Sequence, residues 1–421
     1  MRTVIIGAGI QGVTTAWYLK QYEADVTVLE RNEGPGLDCS FANGGGLTAG
    51  FCEPWNAPGI HKVLLQSLGR QDAPILLHLK SIPGMLSWGL GFIRASRPQA
   101  FFENVKRNCA LAGYSIAQMK EIRDETDIEY RYSDAGTLLL FRNQESLDGH
   151  IEHAGFLREE CGAASRTLDR DELVALEVSL QPIRDRLVGG IHFPGDETGD
   201  CHIFCSKLAG IVLDRGVNFR YGASVSRIIR DGSSFKVELS GGEALTADAV
   251  VVAAGAYSPK LVRPLGVRIP VYPAKGYSLT ISMDGWKNRP RHIMGDMDLH
   301  AGINPLGDEV LRVAGTAEFT GFDKSIPAAR TGNLVRLVEA VFPELAEIMD
   351  RDSLNPWTGL RPMSSDGVPL LGKTPVPGLY LNTGQGHLGW TMAAASGRVV
   401  ADIIMGKTPA VDTTHYSINR F

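Results

Sequence analysis

Three things are scarce in this chain, and each scarcity removes a class of protein. Six cysteines (Cys39, Cys52, Cys109, Cys161, Cys201 and Cys205) are scattered over 421 residues, too thinly for a disulfide scaffold and in keeping with a reducing compartment. Cys201 and Cys205 enclose His202, but no second ligand pair follows, so no metal site is expected. Charge of one sign is never concentrated: 42 basic and 47 acidic residues intermingle for a net charge of -5, which speaks against a nucleic-acid partner. Long apolar runs are also missing, none approaching the roughly 20 residues that span a bilayer. The first strand already reads from Thr3, so no leader is expected and the reading is a cytoplasmic protein. The most membrane-like piece is 82–93, holding Met85, Leu86, Trp88, Leu90, Phe92 and Ile93. It reads as a short helix packed on its domain, with peripheral contact at the inner face of the cytoplasmic membrane as the alternative.

What is present begins at the N-terminus. Val4-Ile-Ile6 is a β-branched run of the buried parallel kind, and it leads straight into Gly7-Ala-Gly9-Ile10-Gln11-Gly12. Helical residues follow over 10–20, then a second strand over 25–30 ends on Glu30, eighteen residues after Gly12. Gly7 allows the tight turn, Gly9 lets backbone approach a pyrophosphate, and Gly12 lets helix and strand pack closely. The helix start offers free N–H groups and partial positive charge to phosphate, and Glu30 an acceptor to ribose hydroxyls. Together these parts predict a dinucleotide site.

The glycine motif does not choose between NAD and FAD, since both carry adenosine and pyrophosphate. An NAD domain would continue to alternate strand and helix through about residue 150, whereas here Phe41-Ala-Asn-Gly-Gly-Gly46 and a Pro/Gly-rich stretch to Pro58 interrupt it early. That favours FAD, threading a glycine-lined channel. Ala249-Val-Val-Val-Ala-Ala-Gly255 reads as a second apolar strand ending in small residues beside the cofactor. At the other end of the chain, Leu379-Tyr-Leu-Asn382, Gly384-Gln-Gly386-His387-Leu388-Gly389 and a helix over 390–405 repeat the strand, loop and helix design. Ala393, Ala394, Ala395, Ser396 and Gly397 make that helix thin at its start, predicting close approach of a flavin edge to its N-terminus. Nucleotide features at both ends imply a discontinuous cofactor domain with a substrate domain inserted.

Five further stretches carry a resemblance over nearly the whole chain. They are 49–59 (AGFCEPWNAPG), 187–201 (LVGGIHFPGDETGDC), 272–280 (YPAKGYSLT), 357–363 (WTGLRPM) and 381–392 (LNTGQGHLGWTM). In these the chain resembles the FAD-dependent D-amino acid dehydrogenases, related to glycine oxidase and D-amino acid oxidase. The resemblance implies a fold of mixed α/β and α+β class: a discontinuous Rossmann-like FAD domain at 1–85, 190–265 and 350–421, and an antiparallel-sheet substrate domain at 86–189 and 266–349. It implies non-covalent FAD and oxidative deamination of small D-amino acids, with electrons passed to an acceptor other than oxygen, such as a quinone or electron-transfer chain. Arg361, in Gly-Leu-Arg-Pro, takes the role of carboxylate anchor. Glu30 and Arg31 meet the adenosine half; Ser40, Asn43, Gly44 and Gly45 line the flavin approach; Val225 offers backbone to adenine. Gly255, Gly386, Leu388 and Gly389 belong to the flavin end, with Tyr277 and His387 as further pocket residues.

The chain departs from many of these dehydrogenases at Gln385, where they carry His, and at His387, where they carry Thr or Ser, which puts a D-alanine preference in doubt. The expected chemistry is hydride transfer from Cα to flavin N5, pushed by the neutral amine, so positioning matters more than a strong base. A secondary-amine substrate such as D-hydroxyproline or sarcosine on the same fold is the alternative.

Overall fold

Val4, Ile5 and Ile6 are each buried, because the strand they form is flanked on both sides. In the computed structural model, which describes residues 1–67, 70 and 75–421, strand Arg2–Ile6 pairs in parallel with Asp25–Leu29 and with Ala249–Val252. The full sheet runs 370–373, 379–383, 249–252, 2–6, 25–29 and 218–220. Only Leu370–Lys373 is antiparallel to its neighbour. The sheet is assembled from both ends of the chain; helices Ile10–Gln21 and Ala393–Ile404 pack on the face of Ile5 and Val28, a three-stranded sheet over 225–247 packs on the face of Val4 and Ile6, and the strand ends open on a crevice.

Helix Ile10–Gln21 packs against helix Ala393–Ile404 through the thin turn of the latter. A Cβ on Gly397 would come 2.7 Å from the Thr14 backbone carbonyl carbon, and Thr14 Oγ1 donates to the Ala393 carbonyl at 3.0 Å. The small residues at 393–397 therefore serve helix–helix packing, and the expected flavin contact there is corrected. The helix starts three residues later than expected, and its Ala395 N–H is bound by Ser115 Oγ at 3.3 Å from the long helix Pro98–Thr126.

A second sheet of nine strands is built around Val271–Ser282, which pairs antiparallel with Val310–Phe319 on one side and Asn355–Ser364 on the other. Helix Ala328–Val341 covers one face with Leu334, Val338 and Val341 against Leu279, Ile281 and Val313. This sheet crosses the boundaries expected from the sequence: Asn355–Ser364, Ile75–Leu77 and Gly189–Phe193 all belong to it. Each is contributed by a stretch adjoining cofactor segments, so sequence proximity misassigns it.

Helix Ile82–Ala95 buries Met85, Trp88, Phe92 and Ala95, with Trp88 Nε1 donating to the Met363 carbonyl at 2.8 Å. Leu86, Leu90 and Ile93, spaced to share one face, are exposed. Among the described residues no helix is long and apolar enough to cross a membrane.

Candidate active site

The crevice is a cavity of about 570 Å³ that runs from the ends of strands Arg2–Ile6 and Asp25–Leu29 to the second sheet. Gly7 and Gly9 of the glycine triplet line its floor, and Gly12 packs behind them. Gly7 has φ +108° and a Cβ there would lie 2.6 Å from the Ala253 carbonyl oxygen; a Cβ on Gly12 would lie 1.9 Å from the Gly7 carbonyl oxygen. Gly9 differs, since its Cβ would meet nothing closer than Ser40 Oγ at 3.5 Å. The protein itself tolerates a side chain at Gly9; the space it would fill opens on the cavity and would suit a pyrophosphate. Gly255, at φ +52°, likewise faces open space. These two positions are the fit test for a dinucleotide, and the residues fit.

Glu30 is buried at the end of its strand, and its Oε2 accepts from the Ala8 N–H at 2.8 Å while Oε1 accepts from the Asn32 N–H at 2.9 Å. Oε1 also accepts from Asn32 Nδ2 at 2.8 Å, so Oε2 is the oxygen that keeps a lone pair for a ribose hydroxyl. Arg31 pairs with Asp38, lies 4.0 Å over the Tyr257 ring and lines the cavity beside Glu30. Ser40 Oγ accepts from the Ile10 N–H at 3.0 Å, and Asn43, Gly44 and Val225 line the wall. Ile10, Gln11, Gly386, His387 and Gly389 also line it. Gly12, Gly45 and Leu388 do not. Gly12 is consumed by helix–strand contact; the Gly45 carbonyl accepts from Trp390 Nε1 at 3.2 Å and from the Gly199 N–H at 3.0 Å; Leu388 is buried in the core.

At the far end stands Arg361. Its strand pairs with Val271–Ser282 so that Arg361 faces Ala274 and Gly359 faces Gly276. Directly paired residues share a face, so Arg361 lies over Gly276, where a Cβ would come 1.9 Å from Nη1. Among the described residues Arg361 makes no ion pair, and Nη1 is enclosed without a hydrogen-bond partner. Burial pulls its pKa down. The neighbouring Cys39 thiol is pushed up to about 12 by burial, so it supplies no counter-anion at neutral pH. A half-buried guanidinium with Nη1 enclosed and unpaired is costly and is the strongest mark of a site for an acid group.

Because the atoms in the way are the end of a flexible side chain and not backbone, Gly276→Ala should fold yet displace Arg361. We expect kcat/KM to fall up to about a hundredfold, the cost of roughly 1 Å of misplacement, with the melting temperature preserved. Unchanged kinetics would count against the anchor's position.

Tyr277 is a correction. It stands on the opposite face of the strand, buried, and its hydroxyl donates to Glu318, which also holds His78 Nε2 at 2.6 Å and Lys275 Nζ at 3.5 Å. Tyr277 still lines the cavity, with its hydroxyl turned to Glu318. His387, by contrast, is at the centre: its ring stacks on Trp55 with centroids 5.2 Å apart and bonds the Glu53 backbone carbonyl. Arg361 Cζ lies 5.2 Å from the same Trp55 ring. Burial and the nearby Arg361 charge drive the His387 imidazole down to about 3, so it is neutral at working pH. Trp55 and Gly276 escaped the sequence reading; a lone tryptophan in a loop and a strand glycine gave no periodic signal.

The model of the family described as FAD dependent oxidoreductase matches residues 2–403. The chain belongs to the FAD-dependent oxidoreductase family. A D-amino acid dehydrogenase of Methylobacterium nodulans is 41% identical over 412 residues, covering 98% of this chain and 97% of that one. The fold is shared with glycine oxidase from Geobacillus kaustophilus (TM-score 0.78, 23% identity, 100% and 98% of the chains). It is shared too with an FAD-bound glycerophosphate oxidase of Mycoplasma pneumoniae (TM-score 0.71, 17% identity, 99% and 97%). Like others of its family, the chain is an oxidoreductase that uses FAD, and the cavity from Gly9 to His387 is where the residues fit it.

Proposed function

We propose that this oxidoreductase deaminates D-amino acids, releasing a 2-oxo acid and ammonia and passing the electrons to an acceptor other than oxygen. The observation that carries the reading is the unpaired Arg361 guanidinium in the flavin cavity. A planar guanidinium takes a carboxylate through two parallel charge-assisted hydrogen bonds and so fixes orientation as well as affinity. Bound FAD supplies the two-electron oxidising power. Support for the D configuration is the name borne by the relatives at about 40% identity.

The residues' work is to bind and orient. Arg361 holds the acid group, Trp55 and the neutral His387 wall the reacting end, and no carboxylate among the cavity lining stands at that end to act as a strong base. The substrate amine must shed its own proton before its lone pair can assist, and water then hydrolyses the imine. The direct test is product formation: with an artificial dye as acceptor, D-alanine should yield pyruvate and ammonia in equal amounts. Dye reduction without both products would refute the reaction.

The rate should therefore rise with pH. Because His387 is already neutral from about pH 4 upward, kcat/KM should climb through the amine's ionisation, and His387→Asn should lower its height without moving that midpoint. A midpoint that moves with His387→Asn would make the imidazole the titrating group.

The acceptor is read as a membrane quinone. Exposed Leu86, Leu90 and Ile93, with Leu79, form an apolar face flanked by exposed Lys80, Arg94 and Arg97. Such a face suits an anionic leaflet, each cation adding about 1 kcal/mol near the surface. The protein should sediment with vesicles containing phosphatidylglycerol and not with neutral ones, and Leu86→Glu with Leu90→Glu should abolish this. Equal sedimentation of the variant would remove the helix from the contact.

A further inference from the structure

A second chamber of about 500 Å³ adjoins the flavin cavity, and His387 lines both. The Trp55 indole, stacked on His387, lines this chamber and is the group beside which Arg361 lies. Phe51, Phe101 and Phe193 make aromatic walls. The lining contains two carboxylates, Glu53 and Glu145, and no lysine or arginine. Glu53 Oε1 accepts from His153 Nε2 at 2.6 Å, while Oε2 is enclosed with no hydrogen-bond partner.

We propose that this chamber receives the substrate's side chain and selects cationic ones, those of lysine- and arginine-like D-amino acids, through Glu53. The assignment rests on the oxidation reading above and adds the substrate class. An amino acid held by Arg361 beside Trp55 sends a long side chain past the Trp55–His387 pair into the chamber. The volume there is far beyond what a methyl group fills. Methylenes lie on the aromatic walls, and the terminal cation meets both their π faces and the carboxylate. A neutral side chain of the same length would leave the Glu53 oxygen unpaired, and an acidic one would face two like charges. His153, donating to Oε1, orients Glu53 and leaves Oε2 to meet the cation.

The test compares kcat/KM for D-lysine, D-arginine, D-norleucine and D-alanine. D-lysine should exceed D-norleucine by about tenfold to a hundredfold, the range of one charge-assisted hydrogen bond. In Glu53→Gln that ratio should fall to near one, with bound flavin and melting temperature reporting that the variant is folded. Should Glu53→Gln fail to fold, Glu145→Lys, at an exposed helix start, should lower the same ratio. D-norleucine matching D-lysine in the parent protein, or a ratio unmoved in folded Glu53→Gln, would overturn the chamber assignment while D-alanine turnover leaves the oxidation reading standing. Inertness toward all four would bring down both.

Discussion

Replacing Arg361 by alanine should lower kcat/KM for amino acids by about 3 to 5 kcal/mol, or roughly two to nearly four orders of magnitude. The size follows from the anchor's surroundings. Nη1 is enclosed, no acid among the described residues balances the charge, and Cys39 beside it stays a neutral thiol. Removing the guanidinium leaves the incoming carboxylate desolvated against apolar and aromatic groups with nothing to pair it. Arg361→Lys should recover only part of the loss, since a point-charge ammonium lacks the two-pronged geometry. The apo-protein should lose no stability in Arg361→Ala and is expected to gain some, because a half-buried, unpaired charge disappears with it. Steady-state kinetics and thermal melts check both halves. A small kinetic effect with a large loss of stability would recast Arg361 as a structural residue.

The second large effect is expected at Gly12. A methyl group there would stand 1.9 Å from the Gly7 carbonyl oxygen and 3.0 Å from its carbon. Both are backbone atoms of the tight turn, so neither can rotate away. Gly12→Ala must push helix Ile10–Gln21 off its strand, at about 1 to 3 kcal/mol of overpacking, and with it the amide groups at the helix start that receive phosphate. The protein should purify without yellow colour and rebind FAD weakly. Gly9→Ala separates fold from cofactor: it meets no protein atom closer than 3.5 Å, so it should fold normally and still lose FAD. Retention of flavin in both would move the pyrophosphate elsewhere.

Local patterns carried much of this into view before any coordinates. Strand, glycine loop, helix and terminal acid occur within the first thirty residues, where each part constrains the next, and Gly7, Gly9 and Glu30 stand together at the cavity. Arg361 sits in a short distinctive stretch. Positions that depend on long-range pairing were less legible. Tyr277 turns away because register sets Arg361 opposite Ala274, and a one-residue change of register reverses every side chain. The thin turn at 393–397 looked like a cofactor surface, yet its neighbour is Thr14, some 380 residues earlier in the chain. Strand Asn355–Ser364 joins the second sheet although segments of the first sheet follow it closely. Trp55 and Glu53 lie in a loop without periodicity, so their meeting with His387 and His153 is a property of the fold alone.

Helix Ala393–Ile404 also shows how a sound electrostatic idea can be misplaced. Its N-terminal partial charge exists, but the chain makes a short 3-10 turn at Gly386–Leu388 first and Ser115 takes an N–H of the helix start. Gln385, Gly386, His387 and Gly389 of that turn are the residues that reach the cavity.

The central claim is that a D-amino acid, held at Arg361, gives its electrons to the flavin bound between the two sheets. Anaerobic mixing of the purified yellow protein with paired D- and L-amino acids tests it in one step. The account predicts rapid loss of the flavin's visible absorbance with the D enantiomers and none with their L partners. Bleaching by the L enantiomers alone, or by NADPH and by no amino acid, would contradict it.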